Sequence, residues 1–151
     1  MKINIEERRN RAVAYYIEGY NCAQAVFMAY SDIYNIDIDL AKKLSASFGA
    51  GMGQLREVCG ACSAMFMIMG LEKPFLSPDD REAKKTNYTA VQQTAQAFKN
   101  KFGTINCADL LKIKYIPQDS TSTDPNAEYF IKRPCARFVA QAAEIIGREL
   151  Q

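Results

Sequence analysis

The chain has 151 residues, of which 48% are hydrophobic and 24% charged, a composition that fits one globular domain over residues 1–151 with its own core and excludes general disorder. Its formal net charge is only +2, with acids and bases interleaved, so it carries no domain-wide electrostatic footprint for nucleic acid. Histidine is absent, which removes histidine-dependent triads and dyads, histidine-ligated zinc and histidine-ligated haem, and leaves sulfur, carboxylate, Lys, Arg and Tyr to carry any chemistry.

Asn4 and Glu7 form a capping pair, and Ile5, Ala12, Val13, Tyr16 and Ile17 recur near the helical period until Gly19. Asn21 caps a second helix predicted to run to about Tyr34, with Asn35 ending it. Asp37 or Asp39 starts a short third helix through Phe48, followed by the loop Gly49-Ala50-Gly51-Met52-Gly53. That loop follows a helix and lacks a downstream Lys-Ser/Thr, so it reads as a hinge or helix terminator rather than a phosphate cradle.

A fourth helix is predicted from about Arg56 to Met69, bounded by Gly70 and Pro74. It is apolar nearly all round, the mark of a central buried helix, and Met65, Met67 and Met69 read as packing within it. Ser77-Pro78-Asp79-Asp80 predicts a serine cap and a long fifth helix to about Lys101, and Asn106 opens a short sixth one through about Lys112. Residues 115–132 read as a long loop, either a lid or an insertion, with one helical turn from Asp124-Pro125 to Tyr129. Pro134 then opens a last helix, Cys135 to about Glu149. No strand alternation competes, so the expected fold is all-α: a single-domain bundle of about six to seven helices around the central apolar one.

The N-terminal residues lack the apolar core of a signal peptide, and no run approaches the ~18 apolar residues of a membrane span. The expectation is a cytoplasmic protein with no membrane partner, in a compartment where spaced cysteines are more often metal-binding or catalytic than structural. The apolar helices permit a homodimer.

Cysteine placement is the strongest chemical signal. Cys22, Cys107 and Cys135 each stand at a predicted helix start, in Asn21-Cys22-Ala23, Asn106-Cys107-Ala108 and Pro134-Cys135-Ala136, and Cys59 and Cys62 share Cys59-Gly60-Ala61-Cys62. A helix N-terminus offers unpaired amides and partial positive charge, so lowered thiol pKa values are expected there. Cys62 also fits a plain stripe of small residues with Gly60, Ala61, Ser63 and Ala64, and Arg133 and Arg137 flank Cys135 with charge that either tunes it or is simply solvated. The pattern points to a sulfur-based centre, either a thiol–disulfide couple or a metal site.

The blocks Gly19-Tyr20-Asn21-Cys22-Ala23-Gln24-Ala25-Val26, Phe48-Gly49-Ala50-Gly51-Met52-Gly53 with Val58-Cys59-Gly60-Ala61, then Asn106-Cys107 with Leu110 and Leu111, then Cys135, resemble the C_GCAxxG_C_C family, named for its cysteine pattern and described as redox-active chiefly from it. The resemblance implies that Cys22, Cys59, Cys107 and Cys135 are the family cysteines and that Cys62 is an addition. In this chain cysteine precedes glycine in the central block, and Ala64 stands where a small glycine is expected.

Three functions compete. In the first, Cys22, Cys59, Cys107 and Cys135 bind an iron–sulfur cluster or another thiolate-bound metal, zinc included, for electron transfer or sensing with an unidentified redox partner. In the second, a metal-free oxidoreductase uses Cys59 and Cys62, or a neighbouring pair, as attacking and resolving thiols. The third is a helical interaction module with inert cysteines.

Overall fold

Side-chain caps and left-handed terminators set the frame of the molecule. A computed structural model describes residues 2–112 and 134–151; the loop expected at 115–132, the turn at Asp124–Tyr129 and Arg133 lie outside them. Asn4 Oδ1 accepts the Glu7 amide at 3.0 Å to start α1 (Ile5–Glu18), which Gly19 ends at φ +114°. Asn21 starts α2 (Cys22–Tyr30) through a reciprocal capping box with Gln24. The last predicted turn of that helix is a separate 3₁₀ turn, Ser31–Tyr34, closed by Asn35 at φ +56°.

Asp37 caps α3 (Ile38–Ser45), and a 3₁₀ turn, Ala46–Phe48, leads into the glycine block. The central helix α4 is Gly60–Glu72 rather than Arg56–Met69. It starts later because Arg56 is left-handed and the next residues pair with a distant segment instead: Val58 and Asn106 form an isolated antiparallel bridge. It also runs through Gly70, which meets no crowding, and ends at Lys73 before Pro74.

Ser77 and Pro78 form a turn, not a cap. The Asp79 amide donates to Ser77 Oγ at 3.3 Å, and Asp80 caps α5 (Arg81–Phe102), accepting the Ala83 amide at 3.0 Å. Gly103 ends α5 at φ +85°. Asn106 caps the short α6 (Cys107–Leu110), and α7 (Cys135–Glu149) follows Pro134.

Among the described residues the architecture is all-α, with α2 and α4 at its centre; α1, α3 and α7 pack on α2, and α5 and α7 on α4. Cys62, Ala64, Met65, Ile68 and Met69 of α4 are fully buried, as the all-round apolar pattern requires. Tyr30 of α2 donates its buried hydroxyl to the Ala143 carbonyl of α7 at 2.6 Å. Phe98 and Phe102 of α5 pack on Phe138 of α7, with centroids 6.2 and 4.9 Å away. The aromatic contacts on Phe138 lie beside the end of the bundle at which α2, α4, α6 and α7 all begin, whereas the Tyr30 bond ties α2 to α7 farther along. No helix among the described residues is long and apolar enough to cross a membrane.

Candidate redox centre

Each of the four expected cysteines is placed by its own local device. Cys22 is the first residue of α2, and its cap is tied in four ways: Asn21 Oδ1 accepts the Gln24 amide at 2.9 Å, Gln24 Oε1 accepts the Asn21 amide at 3.2 Å, Asn21 Nδ2 donates to Ala46 O at 2.9 Å and Gln24 Nε2 to Lys42 O at 3.1 Å. The start of α2 is thereby locked to the end of α3.

Cys59 and Cys107 are brought together by a backbone stitch. The Cys59 amide donates to Ile105 O at 2.8 Å, and the Cys107 amide donates to Glu57 O at 2.6 Å. Cys59 is the N-cap of α4, Cys107 the first residue of α6. Cys135 opens α7, within hydrogen-bond reach of the Tyr16 side chain of α1.

The glycine block closes the arrangement. Ala50, Gly51, Met52, Gly53 and Gln54 all have φ between +57° and +69°, so the block is an uninterrupted left-handed turn, closed by the Gly53 amide on Gly49 O at 2.9 Å. Side chains are strained in this region by roughly 1–2 kcal/mol per residue, so the surroundings must hold the turn in place. A Cβ on Gly51 would lie 2.6 Å from Cys107 Cβ, and one on Gly60 would lie 2.5 Å from Cys22 Sγ. The block is a packed left-handed turn: Gly51 is required by closeness to Cys107, and Gly49 by closeness to the Asn21 side chain, whose atoms would lie 2.2–2.6 Å from an added Cβ. The Ala50 amide, with that of Ala23, donates to the Cys22 sulfur.

Cys22, Cys59, Cys107 and Cys135 all line one cavity of about 260 Å³, together with Arg56, Tyr16 and the apolar side chains of Leu110 and Phe138. Cys22, Cys59 and Cys107 are 8%, 4% and 7% exposed; Cys135 is more open. Cys22 and Cys59 are hydrogen-bonded to each other through their sulfurs, and Cys59 also to Cys62. Cys62 is fully buried on α4 and stands outside the cavity lining. The alternative attacking and resolving pair, Cys59 and Cys62, is therefore in contact but has only one member at the cavity.

The expected lowering of thiol pKa is reversed. Cys22 is pushed well up by the hydrogen bond to Cys59 and then by burial. For Cys59 the Cys22 contact pulls down, but the Cys62 contact and burial outweigh it, and the net shift is upward. Cys135 rises to about 11, first through burial and then through the neighbouring Cys22 and Cys107, against the pull of Tyr16 and Arg56. Desolvation of a thiolate exceeds the partial charge of a helix end, which acts only over the first turn.

Two residues of the site escaped the sequence reading. The helical period assigns Tyr16 to helix-face packing, and the apolar pattern starts the fourth helix at about Arg56, yet both side chains line the cavity. Arg56 Nη1 donates to Cys107 Sγ at 3.7 Å. Arg137, by contrast, is buried with its guanidinium carbon 5.8 Å from the ring centres of Phe102 and Phe138, and among the described residues it is Arg56 whose positive charge acts on Cys135. The signal available for Arg56 was its position between the glycine block and Cys59.

The family described as "Putative redox-active protein (C_GCAxxG_C_C)" matches residues 20–148. The chain belongs to the C_GCAxxG_C_C family. No curated protein and no solved structure matches it. The C_GCAxxG_C_C match spans the glycine block and all five cysteines. Among the described residues, no three Cys, Asp or Glu side chains are drawn together as the shell of a single metal ion requires. An all-thiolate zinc site needs four sulfurs at about 2.3 Å from the ion, and no such group of ligands is found among the described residues of this C_GCAxxG_C_C chain.

Proposed function

We propose that the cavity is a redox centre in which Cys22, Cys59, Cys107 and Cys135 hold an iron–sulfur cluster for electron transfer or sensing. The observation that carries this reading is the convergence of four thiols, from the starts of four separate helices, on one cavity of about 260 Å³. Nothing in helix packing calls for cysteine at each of those starts. Cys22, Cys59, Cys107 and Cys135 would hold such a cluster, for which thiolate is the usual ligand. The donor set is also free of imidazole, since the chain has no histidine.

When bound, the cluster supplies one-electron chemistry. The chain's own residues do the rest. The Ala50 and Ala23 amides point at the Cys22 sulfur and stabilise negative charge there. Leu110 and Phe138 line the cavity and limit water. Because Cys22, Cys59 and Cys135 are held as neutral thiols, loading must release their protons, and loading is favoured as pH rises. Anaerobic purification followed by iron and acid-labile sulfide analysis tests the reading. Iron and sulfide in matching amounts with visible absorption are expected; a colourless, metal-free chain after reconstitution contradicts it.

One observation favours a second reading. The Cys22 and Cys59 sulfurs are in contact, so this pair can close a disulfide, losing two electrons and two protons to an external disulfide or peroxide. Mass spectrometry of the oxidised chain distinguishes it by a single reversible Cys22–Cys59 bond.

A further inference from the structure

Arg56 stands at the one wall of the cavity that carries full positive charge among the lining residues, and its backbone conformation is costly. Its φ of +61° lies in the left-handed region, where glycine or asparagine would relieve the strain. The conformation is held from both sides: the Ala108 amide donates to Arg56 O at 3.4 Å, and the Glu57 amide donates to Gly51 O at 3.0 Å. The result is a side chain whose guanidinium reaches the Cys107 sulfur at 3.7 Å and acts on Cys135, while the residue itself stays exposed to solvent.

We propose that Arg56 is a positioning residue that makes the Cys107 side of the cavity a site for negative charge, drawing carboxylate-bearing small disulfides to the Cys107 sulfur, which attacks one disulfide sulfur to form a mixed disulfide, gives up its proton to solvent and releases the other half as a thiolate. The guanidinium fork offers several donors and is always charged, so it can hold the sulfur with one arm and an incoming carboxylate with another. Exposure leaves it within reach of solvent, and its contact with the Cys107 sulfur at 3.7 Å sets an anion held on the guanidinium beside that sulfur. The inference rests on the second reading, in which the cysteines of the metal-free chain react with external disulfides, and not on the cluster.

The test uses the full-length, reduced, metal-free chain and two thiol reagents of matched chemistry: the dianionic 5,5′-dithiobis(2-nitrobenzoate) and the neutral 2,2′-dithiodipyridine, with the Cys107 adduct followed by mass spectrometry. Wild type should show an excess rate with the dianion that Arg56→Gln lowers by about threefold to tenfold and Arg56→Lys retains, with the neutral reagent unaffected. In wild type itself, raising salt to about 1 M should slow the dianion selectively, an arm that needs no variant. Equal slowing of both reagents in Arg56→Gln, insensitivity of the dianion to salt, or a Cys107 that reacts with neither reagent overturns the proposal. Iron and sulfide content, measured separately on wild type, decides the cluster reading independently of these outcomes.

Discussion

Cys135 is the most open of the cavity sulfurs, yet burial and the neighbouring Cys22 and Cys107 carry its thiol from the ordinary value of 9.0 up to about 11. Its alkylation by iodoacetamide should therefore climb about tenfold per pH unit from pH 7.5 to 10 without a plateau; a plateau below pH 8 would show an activated thiolate instead. The same shift has a signed effect on stability. Between pH 9 and about 11 the unfolded chain has lost this proton and the folded chain keeps it, so stability is steady below pH 9 and falls as pH rises through that window. Cys22, Cys59 and Tyr30 are shifted in the same direction, and urea midpoints of the metal-free chain at pH 7.5 and 10.5 check the sign. Gly60 is the residue least open to change: a methyl there meets Cys22 Sγ at 2.5 Å and Phe48 O at 2.8 Å. Gly60→Ala should cost at least the ~1–3 kcal/mol of an overpacked core and displace Cys22 from the cavity, read by urea denaturation and by loss of iron binding together.

At the scale of elements, caps do most of the positioning. Asn21→Ala removes the acceptor for the Gln24 amide and the tie to Ala46 O, and should cost about 1–2 kcal/mol in chemical denaturation while loosening Cys22. Caps of this kind were legible in sequence because Asn4, Asn21, Asp37 and Asn106 act on amides two or three residues away, and Gly19, Asn35 and Gly103 terminate by their own backbone freedom. The start of α4 was not legible, because Glu57 and Cys59 pair with Cys107 and Ile105, a contact that no local pattern announces. Ser77-Pro78 misled for a related reason: serine serves a turn as readily as a cap, and Asp80 takes the helix. The left-handed run from Ala50 to Gln54 was hidden because Ala, Met and Gln do not advertise positive φ; the turn is held by its own backbone hydrogen bonds and by the close approach of Gly51 to Cys107.

For the molecule as a whole, the bundle core and the cysteine end respond to different changes. Tyr30→Phe deletes the buried hydroxyl bond to Ala143 O and should cost about 0.5–1.5 kcal/mol by denaturation, yet leave iron binding intact, since it ties α2 to α7 away from the cavity lining. The identity of the four converging cysteines was readable from position and family resemblance, whereas the raised pKa values of Cys22, Cys59 and Cys135 were not, because burial is a property of the assembled bundle. The central claim is that these four sulfurs, and not Cys62, make one centre. Its most direct test is iron and acid-labile sulfide per chain in five single Cys→Ser variants after anaerobic reconstitution. Loss of bound iron or a changed cluster spectrum at Cys22, Cys59, Cys107 and Cys135, with Cys62→Ser like wild type, is the predicted result; a wild type without iron, or a variant series that loses it only at Cys59 and Cys62, would contradict the account.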